Sequence, residues 1–255
     1  MVLLVAALVI AVMMLVVWAI SAAIGDASIV DLLWGPGFVV VAWVTLLTTD
    51  GDNARAVLLT SLATIWGLRL GVHLAIRNIG KGEDPRYQAM RRRRGENFWI
   101  ISLVTVYAVQ GVVMWVVSLP LQIGISQPNR DATALLIVGT LVFVVGFVFE
   151  SVGDWQLASF RADPANASAV MDRGLWRFTR HPNYFGDAVL WWGIGLVAAS
   201  TPIGIVGLLG PALITFFLVR ISGVPMLERS LTKSRPGYRE YIRRTSPFFP
   251  RRPKP

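Results

Sequence analysis

The run Arg180-His181-Pro182-Asn183-Tyr184-Phe185-Gly186-Asp187 gathers a guanidinium, an imidazole, an amide, a phenol and a carboxylate where a basic segment gives way to an apolar one. A polar group carried into hydrocarbon costs kilocalories unless it is paired or faces water, so such a cluster at a helix mouth marks a functional site. Three smaller sets repeat the signal. Arg69 and His73 lie four apart and share one helical face with Trp66, either around a shared cavity or snorkelling to the inner headgroups. Glu150, Asp154 and Arg161 also return to one face. They offer two acceptors for ribose hydroxyls and a guanidinium for a phosphate, or else form an interfacial ion network. Asp31 opens an apolar stretch, where a carboxyl that keeps its proton can donate to a carbonyl; a first-turn or capping role at a helix N-terminus is the plainer alternative. In the tail, Glu228, Arg235, Tyr238, Tyr241 and Arg244 interleave charge with aromatic rings before Phe248-Phe249-Pro250, as a cofactor clamp or an interfacial amphipathic helix.

The elements that must position these residues are apolar. Over 255 residues the chain is 55% hydrophobic with a mean hydropathy of +0.59, which excludes an ordinary soluble domain. Spans of roughly 20 apolar residues are expected at about 2–24, 29–49, 55–76, 98–120, 133–153, 184–200 and 203–222. The expectation is an all-α, polytopic membrane bundle of seven helices forming a single domain over 1–255, with no internal repeat. Positive charge sets its orientation. Seven Lys and Arg residues fall in 77–97, four more between Arg161 and Arg180, and nine in the tail from Arg229, whereas Arg55 and Arg130 fall on the other side. The amino terminus is therefore expected outside and the carboxy terminus in the cytoplasm.

The chain has no Cys, which removes disulfides, thiolate zinc sites and iron–sulfur clusters, and two His cannot build a histidine-rich di-iron centre. Any redox chemistry then needs a diffusible organic cofactor. The net charge of +9 is spread over membrane-facing loops, so its expected partners are anionic lipid headgroups and not nucleic acid. Gly174 and Gly186 form no GxGxxG after a strand, so no Rossmann domain is present.

On these residues the chain resembles the membrane steroid 5α-reductase family, most closely its bacterial branch. The likeness is strongest from Gly146 to Leu196, including Glu150-Ser151-Val152-Gly153-Asp154-Trp155-Gln156, Phe160-Arg161 and the Arg180 to Asp187 run. It continues in Arg220-Ile221-Ser222-Gly223-Val224-Pro225 and the tail, so that about 133–255 is the reductase-like region. The resemblance implies a bacterial inner-membrane enzyme with an NADPH pocket open to the cytosol and a lipid-side entrance for a hydrophobic enone. It implies cofactor contacts at His73, Glu150, Asp154, Arg161, Asn183 and Arg220; Arg69, Arg180, His181, Tyr184, Asp187, Glu228 and Tyr241 are the further residues expected to hold the cofactor. Asp31, with His73, is the implied catalytic group that polarises the substrate carbonyl. Departures from the animal reductases, such as Val224 and Glu228 where His and Tyr contacts would stand, point away from animal hormones and toward a sterol intermediate, another polycyclic enone or an unsaturated acyl lipid.

The Arg-His-Pro-x-Tyr-x-Gly element also resembles that of membrane isoprenylcysteine and phospholipid methyltransferases, whose following Glu and Tyr-x-x-Tyr look like Glu228 and Tyr238 to Tyr241. That likeness implies S-adenosylmethionine held by His181 and Tyr184. A non-catalytic lipid-binding protein is the remaining alternative.

Overall fold

The computed structural model describes residues 1–49, 53–128, 132–221 and 223–254; Arg130 and Ser222, used above, lie outside them. Among the described residues there is no strand, only an isolated parallel bridge between Thr179 and Ser246. Twelve α-helices, with short 3-10 and π segments, carry these described residues.

Contacts divide the chain into two compact units, one of Met1–Thr133 with Val197–Gly210, the other of Ala134–Leu196 with Pro211–Pro255. The amino-terminal unit holds α1 (Val2–Ile24), α2 (Trp34–Thr48), α3 (Ala54–Asn78), α4 (Pro85–Arg94), α5 (Phe98–Ser102), α6 (Val109–Val117) and α7 (Leu119–Ser126). The carboxy-terminal unit takes nearly all of α8 (Thr133–Ala162) and α9 (Pro182–Ala198), most of α10 (Leu209–Phe216), and α11 (Val224–Ser234) and α12 (Tyr238–Arg244).

Among the described residues, six helical segments are long and apolar enough to cross a membrane: Val2–Ile24, Ala27–Thr48, Ala54–Asn78, Pro85–Val117, Thr133–Ala162 and Ile203–Ser234. The chain is a multi-pass integral membrane protein. Of the seven expected spans, the one at 184–200 forms α9, whose 17 residues rise about 26 Å at 1.5 Å each, just short of the hydrocarbon core. Lipid-facing character is visible on α8, where Ile137, Leu141, Val144 and Val148 follow helical spacing and are all exposed.

Glycines set how closely these helices approach, as small residues do in lipid, where packing rather than hydrophobicity drives association. A Cβ on Gly35 of α2 would lie 2.1 Å from the Gly67 carbonyl oxygen of α3, and one on Gly186 of α9 would lie 2.3 Å from the Glu150 amide of α8. Each unit thus brings two helices into close contact through a glycine crossing.

The ends of the amino-terminal unit are fastened by charge. At one end Glu83 accepts from the Ala27 amide at 2.9 Å and from Arg91 at 2.8 Å, while Arg91 also donates to the Gly25 carbonyl at 2.9 Å. Burial pushes the Glu83 carboxyl up, but the hydrogen bonds from Arg91 and the Ala27 amide outweigh it and hold it below its usual value. At the other end the fully buried Arg55 donates to the carbonyls of Gly124 at 2.8 Å and Gln127 at 2.6 Å, satisfying acceptors around the C-terminus of α7.

Candidate functional site

Polar side chains collect in two clusters, one in each unit. In the amino-terminal unit a 3-10 segment, Ala27–Leu33, is capped by Asp26, whose carboxylate accepts from the Ser28 amide at 2.8 Å, and it places Asp31 beside the start of α4. Asp84 caps α4 by accepting from the Arg86 amide, and Pro85 begins the helix. This start brings Arg86 and Tyr87 to Asp31. Arg86 donates to one carboxylate oxygen at 2.7 Å and the buried Tyr87 hydroxyl donates to the other at 2.9 Å.

Behind Tyr87 the chain of donors continues. The Gln110 amide donates to the Tyr87 oxygen at 3.1 Å, and the Trp34 indole donates to the Gln110 carbonyl oxygen at 2.6 Å. Every donor in the relay points toward Asp31, whose two oxygens both accept. One expectation is corrected, since the cap of this segment is Asp26 and not Asp31; the oxygens of Asp31 face a guanidinium and a phenol. The donor in this cluster is Tyr87.

In the carboxy-terminal unit Pro182 opens α9, a position where its missing N–H is harmless, so Arg180 and His181 sit just outside the helix. Arg180 donates to Glu228 of α11 at 2.7 Å, to the Ile242 carbonyl at 3.0 Å and to the Thr245 carbonyl. His181 meets the same Glu228 oxygen at 3.1 Å and stacks on Tyr184, with ring centroids 5.4 Å apart and planes 8° from parallel. Burial pushes the His181 imidazole below its ordinary value, the Glu228 carboxylate works against that and Arg180 adds to it. The neutral ring therefore gives its one N–H, at Nε2, to Glu228, and its buried Nδ1 is left as an acceptor with no partner.

The tail closes over this cluster. The Thr179 hydroxyl donates to the Phe248 carbonyl at 2.8 Å, the Arg180 amide to the Ser246 carbonyl at 2.9 Å and the Arg251 amide to the Phe178 carbonyl at 2.9 Å. Phe248 is buried in contact with Ala188 and Val224 and meets Phe185 edge-on. Tyr241 is buried and donates its hydroxyl to the Trp176 carbonyl; burial raises both it and Tyr238 above the ordinary phenol value.

Among the other expected site residues, Asn183 donates to Asp154 at 3.0 Å, and Glu150 and Asp154 are both buried. Arg161 is exposed near the end of α8 and Asp187 is half-buried on α9. Arg69 and His73 are half-buried on α3, and the groups that hold Asp31 come from α4 and not from them. Arg220 is exposed and lines a groove with Arg229 and Lys233. Sequence reasoning passed over Tyr87, Gln110 and the pairing role of Arg86. The signal was Glu83-Asp84-Pro85-Arg86-Tyr87, an ionisable run at a span mouth of the same kind as Arg180 to Asp187.

A second feature of this unit is a groove of about 690 Å³ lined by Arg173, Arg177, Tyr241 and Arg244, together with Asp172 and Glu240. Three guanidiniums beside a tyrosine suit a phosphorylated ligand.

Multi-pass helices with an ionisable cluster in each unit define a membrane protein built around polar sites. The profile of a family described as a protein of unknown function, DUF1295, matches residues 17–245, and the chain belongs to that family. The family includes steroid 5α-reductase-like members. A protein named probable O-methyltransferase ustE, from Ustilaginoidea virens, is 32% identical over 104 residues, 40% of this chain and 34% of that protein. The match thus spans about a third of that relative's length. No solved structure matches the chain.

Proposed function

We propose that this protein is a membrane-embedded reductase that uses NADPH to saturate a conjugated C=C bond in a hydrophobic enone. The observation that carries the reading is the Tyr87–Asp31 pair, a buried phenol held against a carboxylate and supplied from Gln110 and Trp34. Conjugate reduction builds negative charge on the carbonyl oxygen, and a donor placed for that charge is commonly the largest catalytic contribution. NADPH, when bound, supplies a hydride to the β-carbon of the alkene. The alkene electron pair moves to the carbonyl oxygen, to which Tyr87 would turn the one O–H that it otherwise gives to Asp31, and the α-carbon then takes up a proton. One NADPH and one proton are consumed per saturated ketone. In this reading Asp31 orients Tyr87.

The carboxy-terminal unit offers residues that fit the cofactor. Asp154 with Asn183, and Glu150, would take ribose hydroxyls, and Arg173, Arg177 and Arg244 would hold phosphates. The groove of about 690 Å³ falls within the roughly 300–1,000 Å³ of ordinary ligand pockets. Arg220 is left out of this set because it lines a separate groove, with Arg229 and Lys233.

A second reading, methyl transfer from S-adenosylmethionine, is favoured by the methyltransferase name of the relative and by the joining of His181 to Glu228. Transfer to a carboxylate requires alignment and no proton donor, which leaves the Tyr87 relay without a role. Titration of the detergent-purified protein with both cofactors, following nicotinamide fluorescence and thermal stability, separates the readings, because a ligand of the folded state must raise its stability. NADPH binding alone is the expected result; a response to S-adenosylmethionine alone overturns the reductase.

A further inference from the structure

α11 presents different chemistry on two sides. Glu228 reaches Arg180 and His181, while the next residue, Arg229, and Lys233 one turn later line a groove of about 610 Å³ with Arg220, Ile221, Pro225, Met226 and Ser230. No carboxylate lines this groove, and none of its three cations forms an ion pair among the described residues. The groove around Arg173, Arg177 and Arg244 differs, since Asp172 and Glu240 lie within it. Three unmatched cations repel one another, and an anion bound among them relieves that cost.

The rest of the lining says which anion. Ile221 and Met226 are 48% and 43% exposed, so the groove sets bare apolar surface directly against bare positive charge. It sits where the apolar part of the span Ile203–Ser234 ends and its basic part begins, the level of a bilayer's headgroups. We propose that this groove binds an anionic phospholipid, its phosphate among Arg220, Arg229 and Lys233 and its glycerol and upper acyl carbons against Ile221 and Met226. A soluble phosphate compound needs the cations and has no use for the apolar surface. The proposal stands apart from the reaction class, and it gives α11 a second fastening besides the one at Glu228.

The test is lipid retention by the full-length protein, purified in mild detergent, stripped of lipid, and titrated with phosphatidylglycerol or phosphatidylcholine while thermal stability and bound lipid by native mass spectrometry are followed. Phosphatidylglycerol is expected to bind and to raise the unfolding temperature, and phosphatidylcholine to do neither. The pair Arg229→Gln/Lys233→Gln should weaken binding by roughly fivefold for each cation removed, while the charge-keeping pair Arg229→Lys/Lys233→Arg should bind as the parent does. Arg92→Gln/Arg93→Gln, in an exposed basic run elsewhere, should leave binding unchanged. Equal responses to the two lipids, or an equal loss in the Arg92/Arg93 variant, would overturn the site in favour of diffuse surface charge. Binding of inorganic pyrophosphate or NADPH that is lost in the Arg229/Lys233 variant, without phosphatidylglycerol retention, would assign the cations to a soluble phosphate and overturn the lipid.

Discussion

Asp31 and Glu228 are both carboxylates that receive a guanidinium and one further donor, yet they are held in different ways. Asp31 is met by Arg86, whose side chain is 46% exposed, whereas Glu228 is met by Arg180 and His181, at 6% and 1%. Arg86 makes its other contacts to Asp84, two residues away on its own turn. Arg180 instead ties Glu228 to the carbonyls of Ile242 and Thr245 and so fastens the tail. An exposed guanidinium in water can leave its carboxylate at little cost, but a buried one cannot. On this contrast we read the Asp31 cluster as the half able to rearrange around a ligand, and the His181 cluster as the half that stays as it is.

The largest expected effect tests the rigid half. Arg180→Ala leaves the Glu228 carboxylate and two tail carbonyls without their shared donor, and breaking a buried pair from one side costs about 3–5 kcal/mol. Thermal or denaturant unfolding in detergent should show a loss of that size, together with earlier proteolysis of the tail. An unfolding temperature within a degree of the parent would mean that the tail is fastened by Phe248 and the backbone contacts alone.

Next comes the adaptable half. Tyr87→Phe removes the hydroxyl that donates to Asp31 and keeps the buried ring. If the phenol answers the developing oxyanion, kcat for enone reduction should fall by about 10²–10⁴, the usual contribution of a positioned acid, with NADPH affinity retained. A fall in cofactor affinity at constant kcat would move Tyr87 from the reaction to cofactor binding.

Why one cluster was legible in the sequence and the other was not follows from the same difference. The Arg180 to Asp187 run is contiguous, so its polar density stands out at a span mouth, and its partner Glu228 is visible as one of two acids in a basic tail. The Asp31 cluster is assembled from residues 31, 34, 86, 87 and 110, brought together by a 3-10 segment, a capped helix and a packed helix face. No local pattern spells that meeting. Arg86 read as one more loop charge because its partner lies 55 residues away. The apolar spans were legible from length and hydropathy, and so was the shortness of α9, since the stretch expected at 184–200 is no longer than the 17 residues of the helix, which Pro182 starts two positions earlier. Glycine crossings such as Gly35 on Gly67 are silent, because a glycine in a span announces no partner.

A smaller effect concerns His181. Burial holds its pKa in the folded protein below its ordinary 6.5, so in the window beneath 6.5 the unfolded chain binds a proton that the folded one does not. Stability must then rise with pH across that window, being complete above 6.5 and lost as the pH falls toward the folded value. Unfolding temperatures of the parent between pH 5 and 7.5 should show this slope, and His181→Gln should flatten it. A slope of the opposite sign would make the ring a cation in the folded protein, paired with Glu228 as an ion.

The smallest effect is the sharpest test of the contrast. Arg86→Ala removes a guanidinium from a carboxylate just as Arg180→Ala does, and the two distances are the same at 2.7 Å. Distance alone would predict equal losses. Exposure predicts otherwise, because water can replace Arg86 at Asp31 while Tyr87 still donates to the other oxygen, and exposed pairs contribute about 0–1 kcal/mol. The ratio of the two losses, measured in one detergent at one pH, therefore separates geometry from burial as the quantity that decides what these ion pairs do. A loss for Arg86→Ala as large as that for Arg180→Ala would show that the Asp31 cluster is as closed as its counterpart, and would remove the reason for reading it as the half that rearranges around a ligand.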